Sequence, residues 1–150
     1  MKTLSRPSIF SNSYQGNSTQ RPTNSLESSV SVCVSELMNA ATSFHKLHLK
    51  VTGEGSFAAH KALNEIYDAL PGHADDLAEG FQGASESLLS YTDSTPRSLN
   101  SVEEAVAYLN DLCGMITDLQ GMMPYSEIIN DLDTIKSSIN STKYKLLFLK

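Results

Sequence analysis

The sequence has no tryptophan, only two cysteines and no apolar run of about 18 residues, the minimum for crossing a bilayer. We therefore expect no membrane-spanning segment. Cys33 and Cys113 lie within helical apolar patterns and lack the CxxC or histidine spacing of a zinc site. We interpret both as buried free thiols, which suit a reducing compartment, and expect a cytoplasmic protein.

Acidic residues are missing from residues 1–25, which carry Lys2, Arg6 and Arg21. The remainder has eight basic against 17 acidic residues, a balance that disfavours contact with nucleic-acid phosphates, so only this first segment could bind DNA. Residues 1–24 are rich in Ser, Asn, Thr and Pro, and we predict a disordered basic tail. An organelle transit peptide is the less favoured alternative for the same composition.

Apolar side chains recur every three or four residues from Ser25 onward, which is the period of an amphipathic helix. The pattern predicts a first helix over about 25–51, a turn at TGEGS, and a second helix that Ser56 caps and that ends at QGASES. The inward stripe of this second helix is predicted to begin with Phe57. The proline and glycine at 71–72 are expected to kink it.

Two further helices follow a longer connection. Ser101 and Glu104 form a capping box that opens the third helix, and Pro124 is placed to start the fourth. Four amphipathic helices with one longer connection predict an all-α fold over residues 25–150, a ferritin-like or other four-helix bundle.

Two histidines lie at the same level of the predicted hairpin. His48 and His60 are each six residues from Glu54 at the centre of the turn, so they face each other across antiparallel helices. Each could be a core histidine bonded to a carbonyl, or the two together could bind a metal ion, and the spacing leaves both alternatives open.

The second predicted helix also has a polar edge, whose members are His60, Asn64, Asp68, Asp75 and Glu79. Such an edge can be a solvated surface. As a metal site it needs a second chain, because 15 residues separate His60 from Asp75, or about 22 Å of helix. Antiparallel packing against a two-fold mate around Asp68 would bring His60 opposite Asp75 and Glu79 of the other subunit. The predicted ligands are therefore His48 and His60 with Asp75 and Glu79, a mixed set suited to iron, zinc or manganese.

This hairpin resembles that of the Dps group, the DNA-binding proteins from starved cells, within the ferritin-like superfamily. The resemblance covers roughly residues 44–83 and rests on His48, Val51, Gly53, Phe57, His60, Asp75 and Glu79. It implies a dimer with ferroxidase-type sites between subunits, a hollow dodecamer that stores iron, oxidation of ferrous iron by peroxide or oxygen, and in some members DNA binding through a basic arm. Matched residues carry over only the fold, the dimer and the ligand positions, and not the hollow shell.

Two positions depart from the Dps pattern. The GEGSF segment has one extra residue before Phe57, and Asn64 stands where the family has an aspartate ligand. Glu65 could replace that carboxylate only if the helix rotated at the proline. Asp68 is a further possible ligand on the same edge.

Residues 56–83 and 139–150 are more similar to small ferritin-like proteins encoded by tailed bacteriophages, which would place the protein in the cytoplasm of a bacterial host. Two functions therefore stay open. One is a Dps-like protein that binds and sequesters iron. The alternative is a non-enzymatic ferritin-like structural or interaction protein with a vestigial or structural metal site. Asn64 favours the alternative, and the other four ligands favour the first. His45 and His73 are expected to be exposed and outside the site.

Overall fold

The computed structural model describes residues 25–91 and 93–149. This part of the chain forms four helices, with no strand: α1 (Ser25–His48), α2 (Ser56–Ser85), α3 (Val102–Met122) and α4 (Ser126–Phe148). The prediction of an all-α four-helix bundle is confirmed. The predicted tail at 1–24, with its three basic residues, lies outside the described residues.

Each helix contributes one apolar stripe to a single core. Phe44, Leu63, Tyr108 and Ile135, one from each helix, are at most 1% exposed. Burying a side chain of this size stabilises the fold by about 1.5–3 kcal/mol relative to leaving it in water. No described helix is both long and apolar enough to cross a bilayer.

The connection between α2 and α3 runs the length of the bundle beside α1. Successive hydrogen bonds advance in the same direction along both segments, from Ser31 with Ser90, through Asn39 with Ser94, to Lys50 with Leu99. The α3 helix therefore begins at the end of the bundle where α1 finishes. Since α1 packs on α2 and α3, and α4 packs on the same two helices, all neighbouring helices are antiparallel.

The helix boundaries differ from the predicted ones at three termini. The α1 helix ends at His48 rather than near 51. The residue that caps α2 is Gly55 rather than Ser56, in the left-handed conformation at φ 74° that glycine adopts readily, and Ser56 is the first residue of the helix. The α4 helix begins at Ser126, with Tyr125 as its cap, so Pro124 precedes the helix without starting it.

The capping box predicted at the start of α3 is present. The Ser101 side chain accepts from the Glu104 N–H, and the Glu104 carboxylate accepts from the Asn100 N–H, which closes the start of α3. The α2 helix continues without interruption through Pro71. Phe57 was predicted to face the core and does not: its side chain is 73% exposed, because it lies about 120° around α2 from the buried Leu63, whereas Ala59 in the same turn is buried.

Candidate metal site

The imidazoles of His48 and His60 are stacked between α1 and α2. Their ring centroids are 3.6 Å apart and their planes are inclined by 27°. Nδ1 of His48 lies 3.1 Å from the His60 carbonyl oxygen, and Nδ1 of His60 lies 3.1 Å from the His48 carbonyl oxygen. Because a carbonyl only accepts, both Nδ1 atoms carry the hydrogen, and in the neutral rings both Nε2 atoms keep a lone pair. The pair therefore has the carbonyl bonds of core histidines and still offers two nitrogens to a ligand.

The turn between the helices sets this register. The Lys50 and Val51 N–H groups both donate to the Leu47 carbonyl, which ends α1 tightly. Gly53 and Gly55 then adopt positive φ angles of 88° and 74°, which reverse the chain within a few residues. His48 is consequently buried at 7% exposure, whereas His60 opens to the surface.

Stacking restricts how the two rings can bind metal. A nitrogen lone pair lies in the ring plane, and a bound ion sits about 2.0–2.1 Å from the nitrogen. Rings whose centroids are 3.6 Å apart and whose planes are inclined by 27° do not direct both lone pairs at one point within that reach, so one ion cannot bind both rings as they stand. Each ring is therefore available to an ion of its own through Nε2.

Tyr67 and His45 extend the ring cluster, and the sequence prediction left both out. The Tyr67 ring stacks on His45 at 3.9 Å and 11°, and it meets His48 edge-on at 5.1 Å and 74°. The exposed surface position predicted for His45 is correct, but its ring belongs to the cluster, 5.9 Å from that of His48. The available signal was the seven-residue interval from His60 to Tyr67, which places both on one face of α2.

Asn64 is hydrogen-bonded at both ends of its side-chain amide. Its Oδ1 accepts from the Tyr67 hydroxyl at 2.7 Å, and its Nδ2 donates to the Asp68 carboxylate at 2.8 Å. These two partners fix the orientation of the amide. The oxygen that would bind a metal ion at Asn64 is therefore already hydrogen-bonded, and Asp68 is tied to Asn64, two turns from His60.

The remaining predicted ligands are not brought to the histidines within one chain. Asp75 and Glu79 are exposed on α2, whose unbroken course keeps the first of them about 22 Å from His60. Glu65 forms an ion pair with Lys145 of α4, on the other side of α2. His73 is half-buried rather than exposed, and its Nε2 lies 3.0 Å from Ser138 Oγ. Over residues 25–91 and 93–149, no group of three or more His, Cys, Asp or Glu could hold a metal ion.

Residues 48–146 match the model of DUF5856, which is described as a family of unknown function. The chain belongs to this family. The DUF5856 segment begins at His48 and contains all of α2, so it includes both imidazoles, Asn64 and both distant carboxylates. No curated protein shows significant similarity to the chain. The description of DUF5856 names no activity, so the functional argument rests on the geometry above.

The cysteines of this DUF5856 member lie away from the histidines, and neither forms a disulfide. Burial, and then the nearby Glu36 carboxylate, raise the pKa of the Cys33 thiol to about 12, so it stays protonated at neutral pH. Cys113 is only half-buried, in contrast to the prediction, because its position on α3 is at the margin of the core.

Proposed function

We propose that this protein is a Dps-like iron-binding and iron-sequestering protein whose ferroxidase-type site is shared between two subunits. The observation that carries the proposal is the reciprocal carbonyl bonding of His48 and His60. Metal-binding histidines usually donate one ring N–H to a carbonyl or carboxylate, which fixes the ring and directs the other nitrogen at the metal ion. Both rings of the pair meet that condition.

The partner subunit would supply the carboxylates. Packing α2 antiparallel against its two-fold mate around Asp68 would place Asp75 and Glu79 of one subunit opposite the imidazoles of the other. The outer face of the hairpin supports such an interface, because Leu49 and Phe57 beside the histidines are each 73% exposed. Self-association into a dimer, and into a dodecamer if further interfaces form, would cover these side chains.

The mixed nitrogen and oxygen ligand set suits iron, with zinc and manganese as alternatives. In the proposed activity, two ferrous ions are oxidised to ferric ions, and their two electrons with two protons from solvent reduce one hydrogen peroxide to two waters. The residues of this chain bind and orient the ions. The protein would act in the cytoplasm, that of a bacterial host if it is phage-encoded, and Lys2, Arg6 and Arg21 would provide any contact with DNA.

Subunit complementation tests the shared site. One variant carries His48→Ala and His60→Ala, and the other carries Asp75→Asn and Glu79→Gln. Neither homodimer has an intact site, whereas each mixed dimer has one site with both kinds of ligand. After unfolding and refolding together in equal amounts, random pairing predicts about one quarter of the wild-type capacity for ferrous iron.

The control is a mixture in which both changes lie on the same chain and the other chain is wild type. Random pairing then leaves about one quarter of the wild-type capacity if the site is shared, because both sites of every mixed dimer are broken, and about one half if each chain binds metal on its own. No recovery in the first mixture, with about one half in the control, would refute a site shared between subunits. Wild-type protein that binds no ferrous iron would refute the function itself.

A non-enzymatic ferritin-like interaction protein is the second candidate. It is favoured by Asn64, which offers no carboxylate and whose amide is hydrogen-bonded to Tyr67 and Asp68. The absorbance of ferric iron during oxidation by peroxide separates the two candidates. Metal binding with the same oxidation rate in wild type and His60→Ala would support this candidate and contradict the ferroxidase.

A further inference from the structure

The Tyr67 side chain contacts both histidines of α1 and is itself anchored. Its ring lies against His45 on one side and meets the edge of His48, while its hydroxyl donates to Asn64. Asn64 in turn donates to Asp68. A tyrosine that only filled space would need the ring contacts alone. Here the hydroxyl and two further polar side chains also fix where the ring lies.

His48 depends on this arrangement more than His60 does. Its ring is in contact with His60 on one side and Tyr67 on another, and these contacts hold its Nδ1 at the His60 carbonyl. If Tyr67 were absent, the His48 ring would gain room to rotate. Rotation would break the carbonyl bond that keeps the hydrogen on Nδ1 and the lone pair on Nε2.

We propose that Tyr67 is a positioning residue for the imidazole pair, and that Asn64 is the anchor of Tyr67 rather than a metal ligand. The effect of Tyr67 on metal affinity rests on the proposed function, whereas its effect on the histidine tautomer does not. An amide at 64 suits this anchor, because the one side chain accepts from the Tyr67 phenol and donates to the Asp68 carboxylate.

Three variants test this role in the full-length chain. Tyr67→Leu removes the ring contacts, and Tyr67→Phe keeps the ring but removes the hydroxyl. Tyr144→Leu is the matched control, because Tyr144 is exposed on α4 and its ring contacts that of Phe148. Circular dichroism establishes that each variant is folded.

The first measurement is the ring tautomer, from nitrogen chemical shifts of ¹⁵N-histidine-labelled protein without metal. In wild type, His48 and His60 are expected to carry the hydrogen on Nδ1. In Tyr67→Leu, His48 is expected to become a mixture of the two tautomers, whereas the Tyr144→Leu control retains the wild-type state. A folded Tyr67→Leu variant with the wild-type tautomer at His48 would overturn the proposal.

The second measurement is affinity for Co²⁺, followed by its visible absorption. Residues that orient metal-binding imidazoles contribute about 10- to 100-fold to affinity, so Tyr67→Leu should weaken binding by about tenfold or more, and Tyr67→Phe by less. If Tyr67→Leu does not fold, Tyr67→Phe decides, and wild-type tautomer and Co²⁺ affinity in that variant would overturn the proposal. Wild-type protein that fails to bind Co²⁺ counts against the proposed function, and the tautomer measurement still decides the role of Tyr67.

Discussion

Replacing Asn64 by aspartate would restore the carboxylate of the Dps pattern, and we expect it to destabilise this protein. Asn64 Nδ2 lies 2.8 Å from the Asp68 carboxylate, so Asn64→Asp puts two carboxylate groups where a donor and an acceptor now meet. The bond from the Tyr67 hydroxyl would survive, because a carboxylate also accepts. The expected loss therefore comes from the contact with Asp68 alone.

The size of the loss follows from two contributions. A hydrogen bond to a charged group contributes about 1.5–3 kcal/mol when well shielded, and less here because Asp68 is exposed. A like-charge pair four residues apart on a helix costs about 0.2–0.5 kcal/mol. We expect the free energy of unfolding to fall by about 1 kcal/mol, which corresponds to a melting temperature lower by about 3–4 °C.

The exchange variant Asn64→Asp with Asp68→Asn provides the control. It keeps the net charge of wild type and restores one donor and one acceptor between the two positions, so stability should return most of the way to wild type. The assay is urea unfolding followed by circular dichroism at pH 7.

The reasoning is refuted if Asn64→Asp is as stable as wild type, or if the exchange variant is no more stable than Asn64→Asp. Either result would mean that the bond between Asn64 and Asp68 contributes nothing to the folded state. Asp68 would then not hold the Asn64 amide in place, in contrast to the role inferred above.

Two further predictions concern the thiols and the glycines. At pH 8 a thiol reagent should modify half-buried Cys113 in the native protein, and Cys33 only as the chain unfolds; Cys33 reacting at the rate of Cys113 would contradict its burial. Because the pKa of Cys33 is raised to about 12, the unfolded state releases this proton first. Cys33 should therefore make the free energy of unfolding fall by about 1.4 kcal/mol per pH unit between about pH 9 and pH 12, a dependence absent from Cys33→Ala in urea titrations. Gly114→Ala, in α3 with nothing within 4 Å of the added carbon, should raise the free energy of unfolding by about 1 kcal/mol. Gly53→Ala should lower it by about 1–2 kcal/mol, because Gly53 has a φ of 88°, and urea unfolding that ranks these two variants in the reverse order would contradict the reasoning.

The four helices could be predicted because each buries a stripe with a clear period. Leu63, Leu70 and Leu77 on α2, for example, are all fully buried at seven-residue steps. Phe57 lies six residues before Leu63, which at 3.6 residues per turn places it about 120° around α2 from this stripe, and it is exposed although Ala59 in the same turn is buried. A stripe repeated over several turns therefore predicts the buried side of a helix better than a single apolar residue at its end.

The placement of His48 and His60 at the same height of the hairpin could also be predicted, since it depends only on counting residues from the turn. The roles of Tyr67 and Asn64 could not. They depend on the rotation of α2 relative to α1, which packing of the whole core determines, and on hydrogen bonds between neighbouring polar side chains. In the sequence Asn64 is only a missing carboxylate, whereas in the structure it joins Tyr67 to Asp68.

The long connection beside α1 has a consequence for the order of folding. The reciprocal histidine bonds join residues only 12 apart, so they can form as soon as the hairpin closes. The hydrogen bonds between α1 and the connection join residues 49 to 59 apart, so they form only when a much longer stretch of chain has folded back onto α1. Contacts between distant residues form more slowly than local ones. The imidazole pair should therefore be assembled in the hairpin before the second half of the bundle has docked.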